Sequence, residues 1–203
     1  MAGETLMLNL AQMEQRYLEK DQRQKEVTRT VSLSEVYAAL SDSAFTLADE
    51  VTALVTTGKG SAGKADNGLT VSDKQLQATL KLSDLNIGDD YPVSLGNTRR
   101  IKQISVTLPA LVGPYQDVRA VLSYGGSVKL PRGCTTAAVS SGMNDSGQFQ
   151  LDFNDSRWLP FEGIPVGDSG TLTLSFPQAD GKQKDLLLSL TDIILHIRYT
   201  IVT

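Results

Sequence analysis

The chain has 203 residues, with 19 basic and 23 acidic side chains and a formal net charge of −4, so it lacks the basic footprint of a nucleic-acid binder. One cysteine, Cys134, and one histidine, His196, rule out an intrachain disulfide and a His–Cys zinc cluster. No run of about 18 apolar residues would cross a membrane as a helix, and the first residues show no basic region followed by an apolar core.

Residues 4–26, "ETLMLNLAQMEQRYLEKDQRQKE", predict a helix. Leu6, Leu10, Met13 and Tyr17 recur as one apolar stripe. Glu19 to Arg23 and Asp21 to Lys25 are favourable i,i+4 pairs. The helix would be roughly 35 Å long at 1.5 Å per residue. Met1-Ala2-Gly3 offers no N-cap, which reads as a helix cut from a longer one. Val31 and Leu33 then alternate with Thr30, Ser32 and Ser34, a short predicted strand. Residues 45–55 return to helical spacing through Leu47, Val51, Leu54 and Val55. A glycine-rich loop is expected over roughly 57–73.

From there the period is two. Leu76 to Leu82, Ile104 to Leu108, Val118 to Leu122, Phe149 to Phe153, Leu172 to Phe176 and Ile193 to Ile201 all alternate apolar with polar residues, and "TTAAV" after Cys134 reads as the start of another strand. Turn signals separate them, among them Gly113-Pro114, Gly125-Gly126 and Asn144 to Gly147. Few helices intervene, so antiparallel pairing is expected. The predicted architecture is mainly β: an antiparallel β-sandwich preceded by a protruding amphipathic helix.

"GKGSAGKA", residues 58–65, satisfies G-x-G-x-x-G and nearly satisfies a P-loop. A phosphate cradle needs a strand before the loop and a helix after it. Here a helical segment precedes it, no helical segment comes after it, and Ala65 stands where a magnesium-binding Ser or Thr belongs. A flexible surface loop is the expectation, with no nucleotide and no other cofactor. Asp145, Asp152, Asn154 and Asp155 could supply calcium ligands, yet EF-hand spacing is absent and the same residues make ordinary turns. Asp152 with Asp155, or Asp155 with Glu162, could be imagined as a glycosidase pair, but sequence does not fix carboxylate separation and ordinary surface carboxylates are the expectation. His196 lies on the strand face opposite Ile193, Leu195 and Ile197, where a structural or solvent-facing role is expected. Cys134 reads as a buried, inert thiol. "RWLPFEG", residues 157–163, has two readings. It is either a plug for one end of the sandwich or an aromatic anchor for a partner, with Arg157, Trp158 and Phe161 as contact residues.

These segments together carry a resemblance. "RRIKQISVTLPALVGPYQDVRAVLSYGG" (99–126), "GMNDSGQFQLDFNDSRWLPFEG" (142–163), "GTLTLSF" (170–176) and "DIILHIRYTI" (192–201) closely resemble the C-terminus of the A component, TcA, of bacterial Tc insecticidal toxin complexes. "AGETLMLNLAQMEQRYLEKD" and "EVTRTVSLSEVYAAL" resemble the region just before it. The likeness covers essentially the whole chain and is weakest around residues 56–75.

The resemblance implies a non-enzymatic TcB-binding domain of a secreted pore-forming toxin subunit. Residues 1–27 would be the end of a channel helix, and residues 28–203 the sandwich with its flexible loop near 57–73. It implies self-association as a pentamer, with Leu6, Leu10, Met13 and Tyr17 as helix contacts. It also implies docking of the β-propeller of the TcB–TcC cocoon, whose toxic enzyme is then delivered. The receptor-binding and membrane-inserting parts of the family lie outside this chain, so direct membrane insertion by it is not expected. A lectin-like β-sandwich binding glycan is the rival, supported by the acidic loop and Trp158. An enzyme comes last, for want of a paired base and nucleophile.

Overall fold

A computed structural model describes residues 24–41, 46–58, 60–64, 67–85, 98–110, 117–126, 129–130, 135–144, 148–154, 159–165 and 170–202. Ten strands form two antiparallel sheets. The four-stranded sheet has the order β1 (Gln24–Ser32), β10 (Ile194–Val202), β5 (Thr98–Pro109), β8 (Gln148–Asp152). The six-stranded sheet has the order β2 (Gly60–Lys64), β3 (Asn67–Ser72), β4 (Gln75–Lys81), β9 (Thr171–Phe176), β6 (Asp117–Gly125), β7 (Thr136–Gly142). Among the described residues three α-helices accompany them, α1 (Leu33–Leu40), α2 (Leu47–Thr57) and the short α3 (Lys184–Leu188), with a 3-10 turn at Leu82–Leu85.

The alternating strands fold as their period dictates. Along β4 and β9 every second residue is buried, and their inner rows Leu76, Ala78, Leu80 and Leu172, Leu174, Phe176 face one core. From the other sheet Ile101, Ile104, Val106, Leu108, Leu195, Ile197, Tyr199 and Ile201 join the same cluster. Two antiparallel sheets sharing one apolar interior make a β-sandwich.

Three stretches differ from the sequence expectation. Gln24 to Glu26, read as the end of the long helix, belong to β1, where Gln24 to Ser32 pair with β10 over their full length. The boundary drawn at residue 27 therefore cuts through a strand of the sandwich; cross-strand pairing outweighs local helical propensity here. Leu33, read as strand, begins α1. Ser32 is its N-cap: its Oγ accepts from Glu35 N at 3.3 Å and donates to Asp192 Oδ2 at 2.6 Å. "SLSE" is a capping-box sequence, and that local signal ends the strand alternation at Ser32. Finally, residues 60–64 and 67–72 are the hairpin β2–β3, in register from Gly60–Val71 to Lys64–Asn67, rather than a loop. Leu69 and Val71 are core residues, and their burial against α2 pulls the segment into the sheet.

Two of the buried polar side chains tie elements of the interior together. Tyr37 of α1, 1% exposed, donates from its hydroxyl to Thr79 O of β4 at 2.8 Å, tying helix to sheet. Gln183, 3% exposed, repairs a gap in the six-stranded sheet. The β6–β9 register pairs Val121 with Ser175, so Pro177 falls at the position opposite Arg119. Proline has no N–H to offer there. Gln183 takes its place: Oε1 accepts from Arg119 N at 2.6 Å, and Nε2 donates to Arg119 O at 3.0 Å and also to Pro177 O.

Two measurements test these ties. Gln183→Leu removes the side-chain partners of the part-buried Arg119 N–H and C=O, at about 1–3 kcal/mol each, so urea unfolding should show a loss of roughly 2–6 kcal/mol. Burial pushes the Tyr37 phenol well above its ordinary value. The folded chain keeps that proton where the unfolded chain begins to lose it, near pH about 10. The associated stability is intact below that pH and lost as pH rises through it. Tyr37→Phe should cost about 1–2 kcal/mol at neutral pH and should show a shallower stability loss than the parent as pH rises through about 10.

Candidate interaction surfaces

Gly58, the first glycine of the phosphate-loop look-alike, is the C-cap of α2. It has φ 68°, and its N–H donates to Leu54 O at 3.0 Å. Glycine is favoured there because a left-handed cap costs a side chain conformational strain. Gly60 and Gly63 belong to β2, and the next element in the chain is β3, so no helix N-terminus faces this turn.

The outer face of the four-stranded sheet is polar and ordered in rows. Register places Thr30, His196, Ser105 and Asp152 in one line across all four strands. Next to it run Thr28, Arg198 and Gln103. His196 shares hydrogen bonds with Thr107 Oγ1 at 2.8 Å through Nε2 and with Thr30 Oγ1 at 3.2 Å through Nδ1. Both ring nitrogens are thus engaged by threonine hydroxyls, the structural arrangement expected from sequence. A hollow of about 230 Å³ lies here, lined in part by Asp152, Asn154, His196 and Arg198.

Asn154 works as a strand neighbour. Its Nδ2 donates to Ile104 O at 3.0 Å and its Oδ1 accepts from Ile104 N at 3.3 Å. Asp152 Oδ1 in turn accepts from Asn154 N and Nδ2 at 3.0 and 2.6 Å. These two members of the acidic cluster therefore act as turn and ladder groups; Asp145 and Asp155 lie outside the described residues. Among the described residues no three His, Cys, Asp or Glu side chains could hold a metal ion. Cys134 also lies outside them.

A bulge shapes one end of the sandwich. Arg198 pairs with Gln103 and Tyr199 with Ile101, so Lys102 is the extra residue on β5. Its Nζ donates to Glu26 Oε1 at 2.8 Å, while Arg198 Nε stands 3.6 Å from the same oxygen. The Lys102 hydrogen bond, with help from the Arg198 charge, holds the Glu26 carboxyl below the usual carboxylate range. The group is largely exposed, so its contribution is small and salt-sensitive.

Past that bulge β8 no longer accompanies β5, and residues 163–165 do. Ile101 N donates to Ile164 O and Gly163 N to Ile101 O, both at 2.8 Å. Gly163 allows the turn with φ 93°. This clamp drives Phe161, at 0% exposure, and Ile164 into the core. Phe161 is therefore a plug of the sandwich end and presents no surface to a partner, correcting its placement among the contact residues. Arg157 and Trp158 lie outside the described residues, as do Leu6, Leu10, Met13 and Tyr17. Sequence reasoning did not single out Gln183, the Lys102 bulge or the β7 edge. For β7 the signal was available: a seven-residue strand with no charge.

Two antiparallel sheets closed over one core, with sheet edges and sandwich ends as the accessible features, define a β-sandwich module. Residues 1–51 and 126–201 match the family described as the Tc toxin complex TcA C-terminal TcB-binding domain. The chain belongs to this family and is a domain of a TcA-type toxin subunit. It is 32% identical over a 226-residue alignment to the toxin subunit YenA2 of Yersinia entomophaga, which covers 98% of this chain and 14% of that protein. It superposes on the cryo-EM structure of Yersinia pseudotuberculosis TcaA-TcaB with a TM-score of 0.75 and 53% identity, over 100% of this chain and 11% of that one. On Morganella morganii TcdA4 the TM-score is 0.68 at 60% identity, covering 99% of this chain and 8% of that one. The chain thus spans a small part of the length of each relative.

The plug makes a direct test. Phe161→Ala should lower unfolding free energy by about 3–5 kcal/mol, the range for truncating a buried aromatic. A melting temperature equal to the parent's would mean that Phe161 is not packed as described.

Proposed function

We propose that this chain is the docking module of a TcA subunit. It receives the β-propeller of the TcB–TcC cocoon at the mouth of a pentameric translocation channel, outside the producing cell, and does no chemistry of its own. The observation that carries this reading is the match to the TcB-binding domain family over residues 1–51 and 126–201. The geometry supports it. A sandwich with a packed core offers rigid sheet edges and loop ends, which suits recognition, and such surfaces can be gripped with little rearrangement. The stripe Leu6, Leu10, Met13 and Tyr17 would pair with its counterpart on a neighbouring subunit, and Arg157 with Trp158 would contribute contacts at the sandwich end.

A glycan-binding role has one observation in its favour, the polar hollow around His196, Asp152 and Arg198 on the outer sheet face. Aspartate, amide and hydroxyl groups are suited to sugar hydroxyls, and among the described residues the His196 imidazole is the one aromatic ring lining that hollow.

Immobilised TcB component and a glycan array, each probed with the folded chain, separate the two. The docking reading expects saturable binding to TcB and none to the array. A folded sample that binds glycans and leaves TcB untouched overturns it.

A further inference from the structure

Four strands bound the two sheets: β1 and β8 in one, β2 and β7 in the other. An edge strand exposes backbone donors and acceptors to any passing chain, and proteins guard it with charge, short length or bulges. Three of these edges are guarded. β1 carries Glu26, held by Lys102 and Arg198, and Arg29. β2 and β8 are five residues each, and β2 includes two glycines. β7 is different. Its seven residues, TAAVSSG, contain no charge and no proline; β8 meets its Gly142 end through the antiparallel bridge Met143–Phe149, and along the rest of β7 no described strand pairs with its outer side.

The open groups are set by the ladder. Tyr124 N donates to Thr135 O at 2.8 Å. In an antiparallel pair such hydrogen-bonded positions alternate with open ones. Ala137 with Leu122 and Val139 with Ala120 are then bonded to β6, while the N–H and C=O of Ala138 and Ser140 point away from it. On the inner face Ala137 and Val139 touch the core but are only half-buried. The apolar interior therefore ends at this edge incompletely covered.

We propose that β7 accepts an extended strand of the TcB component as a seventh strand of the six-stranded sheet. The inference rests on the docking reading and specifies its mode. The incoming segment is about four to five residues long, set beside Thr136 to Ser140, with apolar residues over Ala137 and Val139 and uncharged polar residues beside Ala138 and Ser140. Strand addition gives affinity through the main chain and selectivity through alternate side chains. A second copy of this chain is the poorer occupant. β7 against β7 would bring together only alanine, valine, serine, threonine and glycine, well short of the roughly 1,000 Å² a stable interface needs. The other edges of a second copy are guarded.

The test uses the full chain, two variants and purified TcB component. Ala138→Pro removes an outward N–H and leaves the bonds to β6 intact, since proline is tolerated at such edge positions. Ser140→Lys keeps the backbone and adds an edge charge, and decides the matter if the proline variant does not fold. Thr56→Lys, on the exposed side of α2, controls for added charge. Both β7 variants should keep the parent's melting temperature and bind TcB at least about tenfold more weakly, with Thr56→Lys unchanged. The Ala138 and Ser140 amides of the parent should gain protection from hydrogen exchange when TcB is added. Parent-like affinity in the folded variants, or no gain in protection, overturns strand addition and leaves docking standing. No binding by the parent overturns both. A dimer of the free chain that Ser140→Lys dissociates would assign the edge to a second copy and overturn the proposal.

Discussion

The rest of the sandwich depends on the seating of β10. It is paired along its whole length with β1 on one side and with β5 on the other, so it joins the two ends of the described chain in one sheet. A strand has a side-chain period of two, so its register assigns every residue to a face. Leu195, Ile197, Tyr199 and Ile201 point into the core; His196 and Arg198 point out. A slip of one residue would bury a histidine and an arginine and expose four large apolar side chains. That cost holds the register, and through it the position of β1, the α1 cap at Ser32 and the bulge at Lys102.

The same register explains why the polar outer face is orderly. Rows of threonine, histidine, serine and aspartate arise because each strand contributes its outward residue at the same level. His196 finds threonine hydroxyls on both neighbouring strands, and the Lys102 bulge brings an ammonium to Glu26 on the edge strand. Polar groups on such a face stabilise the sheet modestly through cross-strand pairs. Their arrangement is a consequence of sheet geometry and does not require a catalytic purpose.

Alternation made β4, β5, β6, β8, β9 and β10 legible in the sequence, because half-buried strands of an antiparallel sheet write their two faces into the residue order. The α2 stripe was legible for the same reason at the helical period. The hairpin β2–β3 was not: its glycines supply no alternation, and its strand state comes from pairing with β4 and packing on α2. At Leu33 two local signals competed, and the capping box prevailed over the alternation. Phe161 illustrates a different limit. An aromatic flanked by proline and glycine reads as exposed loop or buried plug alike. Only the hydrogen bonds between residues 163–164 and Ile101 settle which.

Open edges are a hazard in a sheet protein, and most of this chain treats them so. Charge stands on β1, brevity limits β2 and β8, and the Gln183 amide closes the internal break that Pro177 makes beside β6. That last feature bears on β7. Gln183 fastens β6 on the side away from β7, so β6 is held along its inner flank even where β9 has ended. β7 therefore hangs from a strand that is fully anchored, and its outward backbone is presented on a rigid support. Rigidity lowers the ordering cost of binding. An edge that is uncharged, regularly paired and firmly backed suits recognition by backbone hydrogen bonds, whereas the same edge on a loosely held strand would favour indiscriminate pairing and aggregation.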